Sequence, residues 1–432
     1  MENFYIDPEK MIREHMLFMN NQVLLWHNTF RTMLGEAPKE VVEEAKSDSR
    51  FADKEWKQDP IYNFLKQFYL IHANLLEQLV ETVVMKDFKT MQQIRFFTRQ
   101  YINSLSPSNY IFTNPEVFRE MLSTGGDSLA KGVDNLIHDF VSSPVEALKI
   151  NQVSIDAFTL GEDLACTPGK VIFENELMQL IQYTPQTREV FLTPLLIIPP
   201  FINKYYILDL DQKKSLVKWL VSQGFSVFMV SWVNPNASLA HTTFADYMHK
   251  GAIKALDTVT EVTGETSVNV AGYCVGGTLL GVTQSYLQSH HDFRIKSLTF
   301  LTTLFDFSSP GEVGNYISEQ SLPLLEEYTR RKGYFDGRML SLSFSLLREN
   351  NLYWSFYVEN YLKGKDRVPF DILYWNGDST NLPRDTFQYY VRNMYMENRL
   401  IEPGGIEVSG LRYRVPRLIF SRLTRPPTVW QR

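Results

Sequence analysis

The sequence predicts an α/β fold, a mainly parallel sheet preceded by a mainly helical N-terminal domain. Three observations carry this reading. After residue 166, short apolar or β-branched runs alternate with helical stretches, as in a sheet whose strands are joined by right-handed crossovers. One such run, Val268-Asn269-Val270-Ala271, breaks into Gly272-Tyr273-Cys274-Val275-Gly276-Gly277 and then into a helical pattern. Before residue 166 the apolar residues fall at helical spacing only.

In the N-terminal part, Met11 to Met33 carries Met16, Met19, Val23, Leu24, Phe30 and Met33 at mixed three- and four-residue steps, the stripe of an amphipathic helix. Pro60 to Val84 repeats the pattern with Phe64, Phe68, Leu70, Leu75, Leu76 and Leu79. Both stripes are read as core in preference to partner-binding faces. Pro107, Pro115 and Gly125-Gly126 separate the helices, and no internal repeat or low-complexity tract is evident. The pattern changes near Cys166-Thr167-Pro168-Gly169-Lys170, so we expect a helical domain over 1–165 and an α/β domain over 166–432.

Within the second domain, Val171 to Tyr183 is strand-like, and Pro194 to Pro200 reads as a fully buried strand. A helix at Leu216 to Gln223 leads to a second buried strand, Ser226 to Trp232. A helix at Ala252 to Val262 precedes Val268 to Ala271, and a helix at Val275 to His290 precedes the strand Leu298 to Thr302. Beyond Thr303 the alternation stops. A Phe- and Tyr-rich, irregularly helical stretch at about 304–403 is expected to form a cap, and Val415 to Ser421 resumes as a strand.

A G-x-[S/C]-x-G run between a strand and a helix is the nucleophile elbow of α/β-hydrolase-like architecture, in which a sharp turn lifts the nucleophile above the sheet. Gly272 and Gly276 suit a turn where strand and helix backbones crowd together. With cysteine at the apex the attacking atom of Cys274 is sulfur, which favours acyl transfer through a thioester. The bland alternative is a buried cysteine acting as a small hydrophobe. Val275 is the natural first oxyanion donor through its backbone N–H. The second should come from the loop Pro199-Pro200-Phe201-Ile202; prolines lack an N–H, which leaves Phe201 or Ile202, unless the segment is only a rigid turn.

A base is harder to find. Chain order asks for an acid and then a histidine after the nucleophile, and only His290 and His291 follow it. They lie about sixteen residues along the elbow helix, roughly 24 Å from Cys274. His241 follows a strand end, but an ordinary loop role suits it better. Asp306 and Asp378 are acids by position, each better read as a cap or turn residue. No metal site is indicated.

The 432 residues carry 43 basic and 49 acidic side chains, and a net charge of −6 offers no basic field for nucleic acid. Only Cys166 and Cys274 occur, so with one as nucleophile no structural disulfide is expected, which fits a reducing cytoplasm. Residues 1–10 lack the pattern of a signal peptide, and no apolar run approaches the roughly 18 residues that span a bilayer.

Several longer motifs carry a family resemblance. The elbow, the run Pro199-Pro200-Phe201-Ile202-Asn203-Lys204-Tyr205-Tyr206-Ile207-Leu208-Asp209, Val230-Ser231-Trp232, and Tyr374-Trp375-Asn376-Gly377-Asp378-Ser379-Thr380-Asn381-Leu382-Pro383 together resemble class I polyhydroxyalkanoate synthases. Asp48-Ser49-Arg50-Phe51 with Trp56, Ser106-Pro107-Ser108-Asn109-Tyr110 with Thr113 to Glu116, and Phe173 to Glu176 with Gln182-Tyr183 resemble that family's N-terminal region. The likeness runs from about residue 48 to about 421.

The resemblance implies a cytoplasmic, granule-associated enzyme that polymerises (R)-3-hydroxyacyl-CoA into a storage polyester, releasing CoA. It implies Cys274 as the acyl-carrying nucleophile, a histidine that activates the thiol, and an aspartate that assists attack by the 3-hydroxyl. It also implies a homodimer at the polyester granule surface, with no cofactor beyond the CoA thioester substrate. In the family, the strand matching Val415 to Ser421 precedes an Asp-His-Ile-x-Pro-Trp type segment, and further on a Gly-His-Ile segment supplies the histidine. Here the last 24 residues, from Ser409, hold six arginines and no Asp or Glu, and neither catalytic partner is found. This suggests a C-terminally truncated or frameshifted synthase with little polymerising activity; a basic tail that docks on an anionic surface is the alternative. Two rival readings of the whole are a thioesterase of the same fold and a catalytically dead copy that binds granules.

Overall fold

A computed structural model describes residues 4–143, 148–408 and 410–413, the last three by their backbone alone. The chain falls into two compact units, Met1–Gln152 with Leu342–Val368, and Val153–Ser341 with Pro369–Arg432.

The first unit is helical. Its helices α1 (Pro8–Met33), α2 (Pro60–Glu81), α3 (Phe88–Ser104) and α4 (Pro115–Ser123) each begin on a residue whose side chain accepts from the first-turn N–H groups: Asp7, Asp59, Asp87 and Asn114. Pro8, Pro60 and Pro115 follow three of these caps, where a missing N–H costs nothing. Gly126, at φ +96°, opens α5 (Asp127–Ser142). The core gathers Phe51, Trp56, Tyr69, Leu70, Ala73 and Ile102, with the Phe51 and Trp56 rings edge to face at 5.0 Å. The Arg50 guanidinium grips Asp48 and reaches the Tyr69 hydroxyl at 3.1 Å and Asn103 at 3.0 Å.

The α1 stripe is not core. Leu25 is the buried residue of that helix, while Met16, Val23, Phe30 and Met33 are 63–77% exposed. The spacing was right for an amphipathic helix, but α1 meets α2 along a narrow line, through pairs such as Trp26 with Phe64 and Phe18 with His72. Periodicity shows that a face is apolar, not that anything covers it.

The segment Leu342–Val368 belongs to this helical unit through buried polar bonds. Asn103 Nδ2 donates to Glu349 at 2.6 Å, and Gln100 Nε2 donates to the Leu346 carbonyl at 2.7 Å. Asp139, fully buried, accepts from the Tyr361 hydroxyl at 2.6 Å, Arg367 at 2.8 Å and Asn151 Nδ2 at 2.7 Å. Removing one side of such a buried pair leaves the other charge unmatched. Asp139→Ala is therefore expected to cost about 3–5 kcal/mol, read as a lower urea midpoint for this unit.

The second unit holds a six-stranded sheet: β1 (Gly169–Glu174), β2 (Met178–Tyr183), β3 (Leu195–Ile198), β4 (Val227–Trp232), β5 (Val268–Tyr273) and β6 (Ile295–Leu301). The spatial order is β1-β2-β4-β3-β5-β6. Pairs β1–β2 and β2–β4 are antiparallel, whereas β4–β3, β3–β5 and β5–β6 are parallel, so the sheet is mainly parallel with an antiparallel edge. The central strands are apolar on both faces, and each face has its own cluster. Leu196, Ile198, Phe228, Val230 and Val270 pack into one, while Ile197, Val227, Met229 and Ala271 meet Val217, Leu220 and Val221 of α6 (Leu216–Ser222) in the other. Helices α7 (Lys254–Thr263) and α8 (Val275–Ser289) complete the crossovers before and after β5.

Val171 to Tyr183, read as one strand-like segment, is a hairpin. The Asn175 side chain accepts from the N–H groups of Leu177 and Met178 and closes the turn locally, which residue alternation does not register. After β6 come short helices interleaved with wide π-helical turns, among them Arg384–Tyr390 followed by Val391–Met396. The strand expected at Val415 to Ser421 lies outside the described residues.

Candidate active site

Cys274 sits where β5 ends and α8 begins, with φ +53° and ψ −128°. Such a backbone is strained for any residue with a Cβ, and strain of this kind is held only where the surroundings enforce it. They do so here. The Cys274 N–H donates to the Leu301 carbonyl at 2.9 Å, and its own carbonyl accepts from Gly277 at 2.9 Å. The flanking glycines are needed for close approach: a Cβ on Gly272 would lie 2.4 Å from Gly277 Cα, and one on Gly276 would lie 2.3 Å from the Ile198 carbonyl oxygen. Gly276 thereby lets the start of α8 touch the end of β3, where Pro199 begins the loop read as the second oxyanion donor.

That loop is held from the side. Trp232 Nε1 donates to the Pro199 carbonyl at 2.8 Å, and the Phe201 ring is fully buried against Tyr247 at 4.7 Å. Among the described residues neither the Phe201 nor the Ile202 N–H has an acceptor, so both remain available as donors. Val275 follows Cys274 as the first residue of α8.

Burial pushes the Cys274 thiol above its ordinary range, and the Val275 N–H alone pulls the other way. No histidine or carboxylate among the described residues acts on it. The side chains weighed as partners are occupied elsewhere. His241 is exposed, with its ring beside Asp385 at 3.3 Å and Arg384 at 2.8 Å. His290 bonds the Tyr286 carbonyl at 2.9 Å, one turn back on α8, and His291 follows at the helix end. Asp306 caps a turn, accepting from the Ser308 N–H at 2.9 Å and from Asn398 at 2.8 Å. Asp378 accepts from the Tyr206 hydroxyl at 2.9 Å.

Two aromatic residues packed beside Phe201 and Phe307 escaped sequence reasoning. Burial pushes the Tyr390 and Tyr395 phenols up, Tyr395 to about 12, and Cys274 adds to both shifts. They come from an aromatic-rich stretch with no motif, and a π-helical turn sets their relative placement, so no regular period marks them.

A thiol raised by burial is a slow nucleophile at neutral pH, and its thiolate fraction grows tenfold per pH unit until the folded-state pKa is passed. Alkylation of Cys274 by iodoacetamide in the folded protein should therefore keep climbing beyond pH 9. A plateau below pH 8, read by peptide mass spectrometry, would point to a base that holds the thiolate.

Comparison with known proteins places this geometry. A family model described as the N-terminus of poly-beta-hydroxybutyrate polymerase (PhaC) matches residues 47–220, and one described as the alpha/beta hydrolase fold matches residues 193–428. The poly(3-hydroxyalkanoate) polymerase of Methylorubrum extorquens is 41% identical over 98% of this chain and 70% of its own length. The chain belongs to the poly(3-hydroxyalkanoate) polymerase family. Similar to it as well are the polymerase subunits PhaC of Rhizobium meliloti (strain 1021), 39% identical over 92% of this chain and 65% of its own length, and of Cupriavidus necator, 42% identical over 84% and 62%. The chain thus spans roughly two thirds of the length of these polymerases. The expected α/β-hydrolase fold and family both hold. Among the described residues no helix is long and apolar enough to cross a membrane, and no cluster of three or more His, Cys, Asp or Glu side chains forms a metal site.

Proposed function

We propose that this polymerase-family chain acts on (R)-3-hydroxyacyl-CoA through Cys274, forming an acyl-cysteine thioester that is passed to a growing polyester. The observation that carries this is the strained Cys274 at the elbow, where the start of α8 closes on the Ile198 and Pro199 carbonyls and the Phe201 and Ile202 N–H groups that follow them have no acceptor among the described residues. In the first step the Cys274 sulfur attacks the thioester carbonyl carbon. The new S–C bond forms, the bond to the CoA sulfur breaks, and the thiol proton leaves with CoA. The negative charge that develops on the carbonyl oxygen faces Val275 and either Phe201 or Ile202. In the second step a hydroxyl oxygen attacks the acyl-cysteine; the ester C–O bond forms, the S–C bond breaks, and the hydroxyl proton returns to sulfur.

With no histidine or carboxylate among the described residues acting on the thiol, acylation should be slow where no other base is supplied, since general-base catalysis commonly contributes roughly 10²–10⁴-fold. The reading extends to a homodimer working at a polyester surface in the cytoplasm, and the exposed apolar row of α1 supplies a face suited to such a surface. CoA release from 3-hydroxybutyryl-CoA, assayed with polymer in parallel, tests the reaction. Chain growth accompanying CoA release agrees with it, whereas free 3-hydroxybutyrate in place of polymer would make the protein a thioesterase.

A further inference from the structure

The π-helical turn Tyr247–Ile253, which leads into α7, holds the loop after β3 at two points. Its first residue, Tyr247, packs its buried ring against Phe201 at 4.7 Å. One turn on, Gly251 receives the end of the Trp232 indole: a Cβ there would lie 2.5 Å from Trp232 Cη2 and 2.6 Å from Cζ3. Glycine within a helix is unfavourable beside alanine, and here the room it leaves is filled by the ring. Seated in this way, with the Tyr247 ring at 5.2 Å, the indole presents Nε1 to the Pro199 carbonyl at 2.8 Å. The same oxygen meets the elbow, where a Cβ on Gly276 would lie 2.5 Å from it.

Chain stiffness turns these contacts into an aim. Proline holds φ at about −65°, so ψ of Pro199 and ψ of Pro200 are the soft rotations between Pro199 and the Phe201 N–H. A hydrogen bond on the Pro199 carbonyl fixes the first, because that oxygen turns with ψ of Pro199. The second is held between this anchor and the buried Phe201 ring. Trp232 ends β4 and pairs with Met178 on β2, so the anchor is tied to the sheet and not to the loop it holds.

Resting on the acyl-transfer reading above, we propose that Trp232 is a positioning residue: its indole N–H, seated on Gly251, holds the Pro199 carbonyl and so aims the Phe201 or Ile202 N–H at the oxygen that gains charge when the Cys274 sulfur attacks. The indole donates to backbone and not to substrate. Its effect belongs to the transition state, where the carbonyl oxygen acquires the charge that the loop N–H meets.

Two reactions at one sulfur test it. Acylation by a thioester places negative charge on oxygen, whereas iodoacetamide loses iodide from a methylene carbon and forms no oxyanion. Both rates are read at pH 9 by mass spectrometry of the Cys274 peptide, in the unaltered full chain and in Trp232→Phe, which keeps an aromatic ring and loses the N–H. The thioesters are 3-hydroxybutyryl-CoA and S-phenyl thioacetate. With the second, the bond from the Cys274 sulfur to the acetyl carbon forms, the bond to the phenyl-bearing sulfur breaks, and the thiol proton leaves with thiophenol. In Trp232→Phe acylation should fall about 10–100-fold, less than the roughly 10²–10³-fold for deleting an oxyanion donor, while alkylation keeps its rate. Gly251→Ala, which displaces the ring but keeps its N–H, should lower acylation in the same selective way. An unchanged ratio of the two rates in Trp232→Phe overturns the proposal, and so does a parallel fall of both, which would make the contact part of the fold alone. Where the unaltered protein takes the acetyl group but not the hydroxybutyryl group, the CoA-ester reading fails and the ratio with S-phenyl thioacetate still decides the role of Trp232. Acylation by neither overturns both.

Discussion

Cys274→Ala should abolish CoA release from 3-hydroxybutyryl-CoA while leaving the protein folded. Removing the nucleophile of a complete triad costs on the order of 10⁶ in rate. Where the described residues supply no base, the site starts lower by roughly 10²–10⁴ of that. The expected loss is therefore about 10²–10⁴-fold, the quotient of the two. Stability should change little, since the exchange removes one half-buried sulfur from a position whose strain lies in the backbone and persists with alanine. A thermal midpoint that moves little, beside CoA release at the background level, separates chemistry from fold.

Gly276→Ala should have the largest effect on structure. The added Cβ would lie 2.3 Å from the Ile198 carbonyl oxygen and 2.5 Å from that of Pro199, and both are backbone atoms that cannot swing aside. The start of α8 would have to back away from β3, carrying the Val275 N–H off the oxyanion loop. Overpacking commonly costs about 1–3 kcal/mol, and contact with backbone on the neighbouring strand puts this case at the upper end. Acylation should fail before the fold does, because a shift of about 1 Å at a catalytic constellation can cost 10²-fold. Gly377→Ala is the matching control: at the end of the helix Asp371–Gly377 an added Cβ meets nothing within 4 Å, and no loss is expected. Chemical denaturation and CoA release on the two variants, side by side, check both statements.

What was legible in the sequence follows the range of the forces involved. Central strands such as Leu195–Ile198 and Val227–Trp232 are apolar on both faces, so they announce themselves as continuous runs. The elbow was legible because its glycines answer a local demand: Gly272 and Gly276 are small where two backbones touch. The hairpin turn at Asn175 depends on two side-chain bonds and left no periodic trace. The α1 stripe had the right spacing, but whether a face is covered is settled by partners far along the chain. The same holds for Leu342–Val368, which joins the helical unit through Glu349 and Tyr361, about 250 and 220 residues from their partners. Tyr390 and Tyr395 were hidden for the same reason, and a π-helical turn adds to it. The His241 ring lies exposed beside Arg384 and Asp385, partners that no local pattern marks.

The central claim is that Cys274 carries the acyl group. The most direct measurement is to incubate the protein with 3-hydroxybutyryl-CoA at pH 9, where more of the thiol is ionised, then quench it in acid and map the peptides by mass spectrometry. The account predicts a hydroxybutyryl adduct on the peptide holding Cys274, none on that holding Cys166, and release of the adduct by neutral hydroxylamine, as befits a thioester. CoA released with no adduct on Cys274, or an adduct that survives in Cys274→Ala, would contradict it.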